Sequence, residues 1–169
     1  MQNLVNYAKN IDIMDQIDQK ILRALQFDGR LTNLELSQKV GLSPSPCLRR
    51  VRALEEQGIL VGYTALLDQD AYGLPMNVFV SVRLEQQSTA SIQKFEDAIN
   101  KLDEVLDCYL MTGNRDYLLR VVSQNLKSYE VFVRDKLTTI PGIAAIESSF
   151  ALGRVKKRSV FPPLSLFER

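Results

Sequence analysis

The chain has 169 residues, 46% of them hydrophobic, enough to bury the core of one or two domains, and its formal charge of +1 leaves attraction to a polyanion to local stripes. It contains no histidine, and its two cysteines, Cys47 and Cys108, are too far apart in sequence for a metal or redox motif. This excludes a Ser-His-Asp triad, a Cys-His pair and an ordinary zinc site, so a non-enzymatic protein without metal or cofactor is expected, and the lack of a leader or membrane-spanning apolar run points to a soluble, reduced, cytoplasmic setting.

Residues 1–10 are polar with scattered apolar residues and no clear period, and read as a loose arm or a short packing segment. From Asp15 to Phe27, Ile17, Ile21, Leu22 and Leu25 recur at helical spacing with acids near the start, where the helix dipole favours them, and Asp28-Gly29 ends the run. Thr32 with Glu35 three residues later spells a capping box, so a second helix opens there and buries Leu36 and Val40. Gly41 can take the positive φ of a tight corner, and Leu42 tucks under it. Ser43 is a suitable N-cap for a third helix, with Pro44 at its first position. Two helices joined in this way form a helix-turn-helix, supported by the helix from Asp15.

A wheel at about 100° per residue puts Leu48, Val51 and Leu54 inward and Ser45, Pro46, Arg49, Arg52 and Ala53 outward, with Arg50 on the flank. The outward face carries arginines and small groups, with no acid before Glu55. Guanidinium groups there can pair with guanine N7 and O6 or with phosphate, and small side chains allow close approach to base edges. Thr32, Asn33, Ser43, Ser45, Pro46, Arg49, Arg50 and Arg52 are the expected contacts to double-stranded DNA. Cys47 borders the apolar side and reads as a packing residue rather than a redox sensor, and Cys108 as a filler of the later sheet's core.

Ile59 to Leu67 is rich in strand formers and reads as a strand or wing, and Asp68 to Pro75 carries turn residues. Strands are expected over Met76–Leu84, Val105–Thr112, Tyr117–Ser123 and Ile143–Leu152, and helices over Thr89–Leu102 and Leu126–Ile140. That order is ferredoxin-like, βαββαβ. The fold class is therefore α+β: a DNA-binding domain at 12–62, a hinge strand and linker at 63–75, and a second domain at 76–161. Phe79, Val105, Tyr109 and Met111 are candidates for a sheet face left bare by the helices, which predicts a homodimer packed sheet to sheet. Two recognition helices related by a two-fold axis would read a roughly palindromic site with half-sites about 10 base pairs apart or a multiple of that.

Four stretches carry a family resemblance: Met14-Asp15 through Asp18 to Ile21-Leu22; Gly29-Arg30; Leu42 to Arg50 with Leu54-Glu55 and Gly58-Ile59; and Gly113-Asn114-Arg115-Asp116-Tyr117-Leu118-Leu119. With them the chain resembles the Lrp/AsnC family, the leucine-responsive or feast/famine regulators of bacteria and archaea, over roughly Met14 to Pro162. The resemblance implies a winged helix-turn-helix, a hinge strand and an ACT-like RAM domain, in dimers that often assemble into octameric rings. It also implies a small effector, most often an amino acid, held at a subunit interface by Met111, Thr112, Gly113, Asn114, Arg115, Asp116 and Tyr117, with Ser148 and Ser149 as weaker lining candidates.

Chemically, Gly113 would let backbone N–H groups reach a carboxylate while Asp116 pairs with an ammonium. A plain hairpin in which Asp116 only caps the turn fits the same residues. Arg115 could either bind an effector carboxylate from a neighbouring chain or fill the pocket. The function expected is thus a sequence-specific DNA-binding transcriptional regulator responsive to a small effector. An enzyme of the same build acting on siroheme is disfavoured by the absence of histidine, and an amino-acid sensor without DNA binding by the arginine face.

Overall fold

A capping box opens the first helix of the computed structural model, which describes residues 14–164; the expected arm at residues 1–10 lies outside the described residues. In it the Asp15 carboxylate accepts from the Ile17 and Asp18 N–H groups while Asp18 reaches back to the Asp15 N–H, and α1 (Gln16–Phe27) follows. The Thr32 and Glu35 box forms as expected and starts α2 (Asn33–Val40), after which Gly41 turns the chain at φ +76°. The Leu42 N–H then donates to the Ser37 carbonyl, which satisfies one of the last carbonyls of α2.

Next comes α3 (Pro44–Glu56). Ser43 has the extended backbone of an N-cap, yet its side chain makes no capping bond. Pro46 at the third helical position has no N–H to offer it. The three helices close on Ile21, Leu25, Leu36, Val40, Cys47 and Leu54, with Val51 partly buried against them. Here the expected inward stripe is corrected. Cys47 is fully buried, whereas Leu48 is 38% exposed. Cys47, Val51 and Leu54 form one stripe, and Leu48 falls about 90° round the helix from its centre.

The expected strand over Ile59 to Leu67 does not form. Gly58 takes φ +68°, the Ile59 and Leu60 N–H groups fold back onto the Leu54 carbonyl, and Val61 to Leu67 is exposed, Val61 at 91%. Its β-forming residues have no ladder partner among the described residues, and an unpaired strand is not stable alone.

The chain divides into two units, one running to Ala65 and taking back the segment from Lys156, the other Leu66–Val155. In the first unit, the Phe161 N–H donates to Gln26 Oε1 at 2.7 Å, which ties the returning segment to α1.

The second unit is built from β1 (Met76–Leu84), α4 (Thr89–Ile99), β2 (Val105–Leu110), β3 (Tyr117–Ser123), α5 (Leu126–Asp135), a 3-10 turn at Leu137–Thr139, and β4 (Ile143–Phe150). This is the expected βαββαβ order, in an antiparallel sheet β2-β3-β1-β4. Val78, Val80, Val82 and Leu84 alternate inward along β1 and pack with Leu119 and Val121 of β3 and with Phe95, Ile99, Tyr129 and Phe132 of the helices. Val105 packs against this core rather than lying on the bare face, because it pairs with the inward Val121. Cys108 pairs with Leu119 but is exposed, since β2 is an edge strand of the sheet.

Candidate nucleic-acid interface and effector loop

The outward face of α3 carries Ser45, Arg49 and Arg52 exposed, with Pro46 and Ala53 half-buried between the faces. Ser45, Leu48, Arg49, Arg52, Ala53 and Glu56 line one shallow open depression. Among the described residues neither Arg49 nor Arg52 forms an ion pair, so both guanidinium groups keep their donors free. Such a surface can hold phosphates on its edges and reach bases in the major groove. Leu48, missed as an outward residue, adds an apolar spot whose only signal in the sequence is the phase of the stripe set by Cys47.

Arg50 is placed elsewhere. Its Nη1 lies 2.8 Å from Asp15 Oδ2 and 2.8 Å from Asp18 Oδ1, so it is a strut between α3 and the start of α1 rather than a free DNA contact. The Asp18 N–H, and after it Arg50, holds the Asp15 carboxyl below its ordinary value. Thr32 is likewise occupied. Its hydroxyl donates to Glu35 and accepts from the Glu35 N–H, and the Thr32 N–H and hydroxyl lower the Glu35 carboxyl. Asn33 Nδ2 donates to the Pro44 carbonyl at 2.9 Å, pinning the start of α3 to α2, while its Oδ1 is buried without a partner. Thr32 and Asn33 therefore position α3. Burial pushes the Cys47 thiol up, as a packing residue requires.

In the β2–β3 connection, the Met111 N–H donates to the Asp116 carbonyl at 2.8 Å and the Asp116 N–H to the Val82 carbonyl at 2.9 Å. The Asp116 carboxylate accepts from the Leu84 N–H at 2.7 Å and from Gln87 Nε2 at 2.6 Å. It fixes the loop to the end of β1. Gln87 went unseen in the sequence because it sits in a linker without a period. Thr112, Gly113 and Asn114 form the exposed tip, where Gly113 takes φ +108° and faces open space.

Arg115 folds back along the open face of the sheet to Ser81 Oγ at 2.7 Å and Glu147 at 2.9 Å, so in this chain it does not fill the loop. Tyr117 does not line the loop either: it is 1% exposed, its ring 4.5 Å from that of Phe95 and its hydroxyl donating to Glu96. Ser148 and Ser149 point to opposite faces of β4. Ser148 meets the Tyr129 hydroxyl on the helix side, and Ser149 pairs with Phe79 on the open side. That open face also bears Tyr109 at 55% exposure and the Arg120–Asp107 ion pair, with Met111 exposed just beyond the end of β2. Among the described residues no acid or cysteine cluster could hold a metal, and no helix is long and apolar enough to cross a membrane.

Two family models match: a winged helix-turn-helix DNA-binding model over residues 14–61, and the Lrp/AsnC ligand binding domain over residues 77–161. The chain is similar to the Bkd operon transcriptional regulator of Pseudomonas aeruginosa, 51% identical over 89% of this chain and 98% of that one. It is also similar to the leucine-responsive regulatory protein of Escherichia coli, 40% identical over 85% of this chain and 88% of that one. Among solved structures, a transcriptional regulator of Neisseria meningitidis in complex with L-Met superposes with a TM-score of 0.85, at 39% identity over 90% of this chain and 99% of that one.

Proposed function

Since the chain belongs to the Lrp/AsnC family of transcriptional regulators, we propose that it reads DNA with the Arg49 and Arg52 face of α3 and adjusts that binding to an amino acid held at the β2–β3 loop. The observation that carries this is the pair of exposed guanidinium groups on α3, unpaired among the described residues while neighbouring Arg50 is tied to two carboxylates. Ser43, Ser45 and Pro46 frame the same face and permit close approach to the duplex.

The effector reading rests on the loop and on relatives named for leucine or crystallised with L-Met. No acceptor among the described residues engages the Gly113 and Asn114 N–H groups, which suits them to a carboxylate. Asp116 already accepts two hydrogen bonds, yet a carboxylate offers about four acceptor sites, so it can also take an ammonium. Its two roles, loop clamp and ligand contact, are compatible.

A dimer formed through the open sheet face would present two copies of α3 to a roughly palindromic site, and such dimers would assemble further. Binding to duplex DNA upstream of its own gene tests the reading. Arg49→Ala with Arg52→Ala should abolish specific retardation and flatten the slope of log K against log salt by about 2, at roughly 0.9 for each phosphate no longer neutralised. An unchanged slope would refute it. Calorimetry with a panel of amino acids, leucine and methionine included, tests the loop: Asp116→Ala should weaken the best ligand at least tenfold, and undiminished binding removes the assignment.

A further inference from the structure

The chain that leads back to the helix-turn-helix unit reads Arg154-Val155-Lys156-Lys157-Arg158, four cations in five residues of which Lys156, Lys157 and Arg158 belong to that unit, and no acid occurs from Ala151 to Leu164. All four are exposed, and among the described residues none forms an ion pair. A charge run of this kind is usually only a solvated surface. Two observations set this one apart.

First, from Lys156 onward the segment belongs to the unit that carries α3, and it is moored there by the Phe161 N–H on Gln26 Oε1. Lys156 lies five residues from that mooring, so at most about 18 Å of chain separates them. Second, a further cation without an ion pair among the described residues stands on the helix that carries the mooring. Gln26 stands three residues from Arg23 on the same face of α1, and the Arg23 guanidinium lies 5.4 Å over the Phe27 ring rather than against a carboxylate. With a whole-chain charge of only +1, the concentration of cations on this unit is a local feature.

We propose that Lys156, Lys157 and Arg158 form a second DNA contact of this chain, a strap that grips backbone phosphates beside the groove occupied by α3. This rests on the DNA-reading assignment of α3 and extends it. The strap carries no base-reading geometry, so it adds affinity without sequence preference, whereas Arg49 and Arg52 supply the specific contacts.

The test uses the full-length protein with Lys156→Gln, Lys157→Gln and Arg158→Gln combined, titrated onto an upstream duplex and an unrelated duplex over a series of salt concentrations. The expected result is a slope of log K against log salt shallower by about 2 to 3 on both duplexes, with the preference between them kept. On the unaltered protein, acetylation of Lys156 and Lys157 should be suppressed when the duplex is bound.

An unchanged slope, or equal acetylation with and without DNA, overturns the proposal. So does a slope change that coincides with loss of the native sedimenting species, or lysine protection by anionic vesicles but not by DNA. Arg49→Ala with Arg52→Ala separates the two claims: if that variant loses specific binding while the strap variant is unaffected, only the strap is wrong.

Discussion

Three arginines in a four-residue stretch of α3 look alike in the sequence and behave differently in the fold. Arg49 and Arg52 are exposed, while Arg50 bridges Asp15 and Asp18 across the first unit. Arg50→Met should therefore lower the melting temperature by a few degrees and leave the salt slope of DNA binding unchanged, the reverse of the Arg49 and Arg52 pattern. Thermal melts alongside binding titrations check both halves. The same corner gives a pH dependence. Asp15 is held below its ordinary value of 3.8 in the folded state, first by the Asp18 N–H and also by Arg50. Its contribution is thus fully present above that value and fades as the pH falls through the folded value. The melting-temperature gap between wild type and Asp15→Asn should be present at neutral pH and close in acid.

At the scale of elements, the capping boxes and the glycine corner do most to aim α3. Gly41 at φ +76° makes the corner, and the Leu42 N–H closes it on Ser37. An alanine there has room for its Cβ but not the backbone conformation, so Gly41→Ala should cost about 1 to 2 kcal/mol by chemical denaturation. Thr32→Ala, which removes the cap of α2, should cost about 1 kcal/mol in the same measurement. These devices are local, with partners one to five residues apart; the Thr32 box and the glycine corner were legible before any fold was known, whereas the Asp15 box showed only as acids near the helix start. The segment from Ile59 to Leu67 has no such local device. Its composition favours a strand, but a strand exists only with a neighbour to share its hydrogen bonds, and the chain supplies none among the described residues.

For the whole molecule, the open face of the sheet sets the expectation. Phe79 and Tyr109 are exposed on it, Phe79 in the row of the Arg120–Asp107 ion pair and Tyr109 in the row that ends at Glu147 with its partner Arg115, so apolar and charged groups alternate across the face. Phe79→Glu with Tyr109→Glu should weaken self-association at least about tenfold by sedimentation, while the circular dichroism spectrum is kept. If the dimer orients two copies of α3, inserting about 5 base pairs between half-sites should lower affinity sharply, and inserting about 10 should restore much of it. Gel retardation on such a spacer series decides this.

The sequence by itself determined the helices, the Thr32 cap and glycine corner of the second of them, the strand order of the second unit, and the family. Periodicity and capping act over a few residues, so they are written where they act. Only the tertiary structure decided that Arg50, Thr32 and Asn33 serve as struts, that Cys47 rather than Leu48 is buried, that Tyr117 belongs to the core, and that the basic segment after Val155 returns to the first unit. Each of these depends on what a distant stretch of chain brings alongside. Asp15 and Arg50 lie thirty-five positions apart, and Gln26 and Phe161 one hundred and thirty-five. No local pattern encodes a partner at such a distance, because packing of the cores, not spacing in the chain, makes them neighbours.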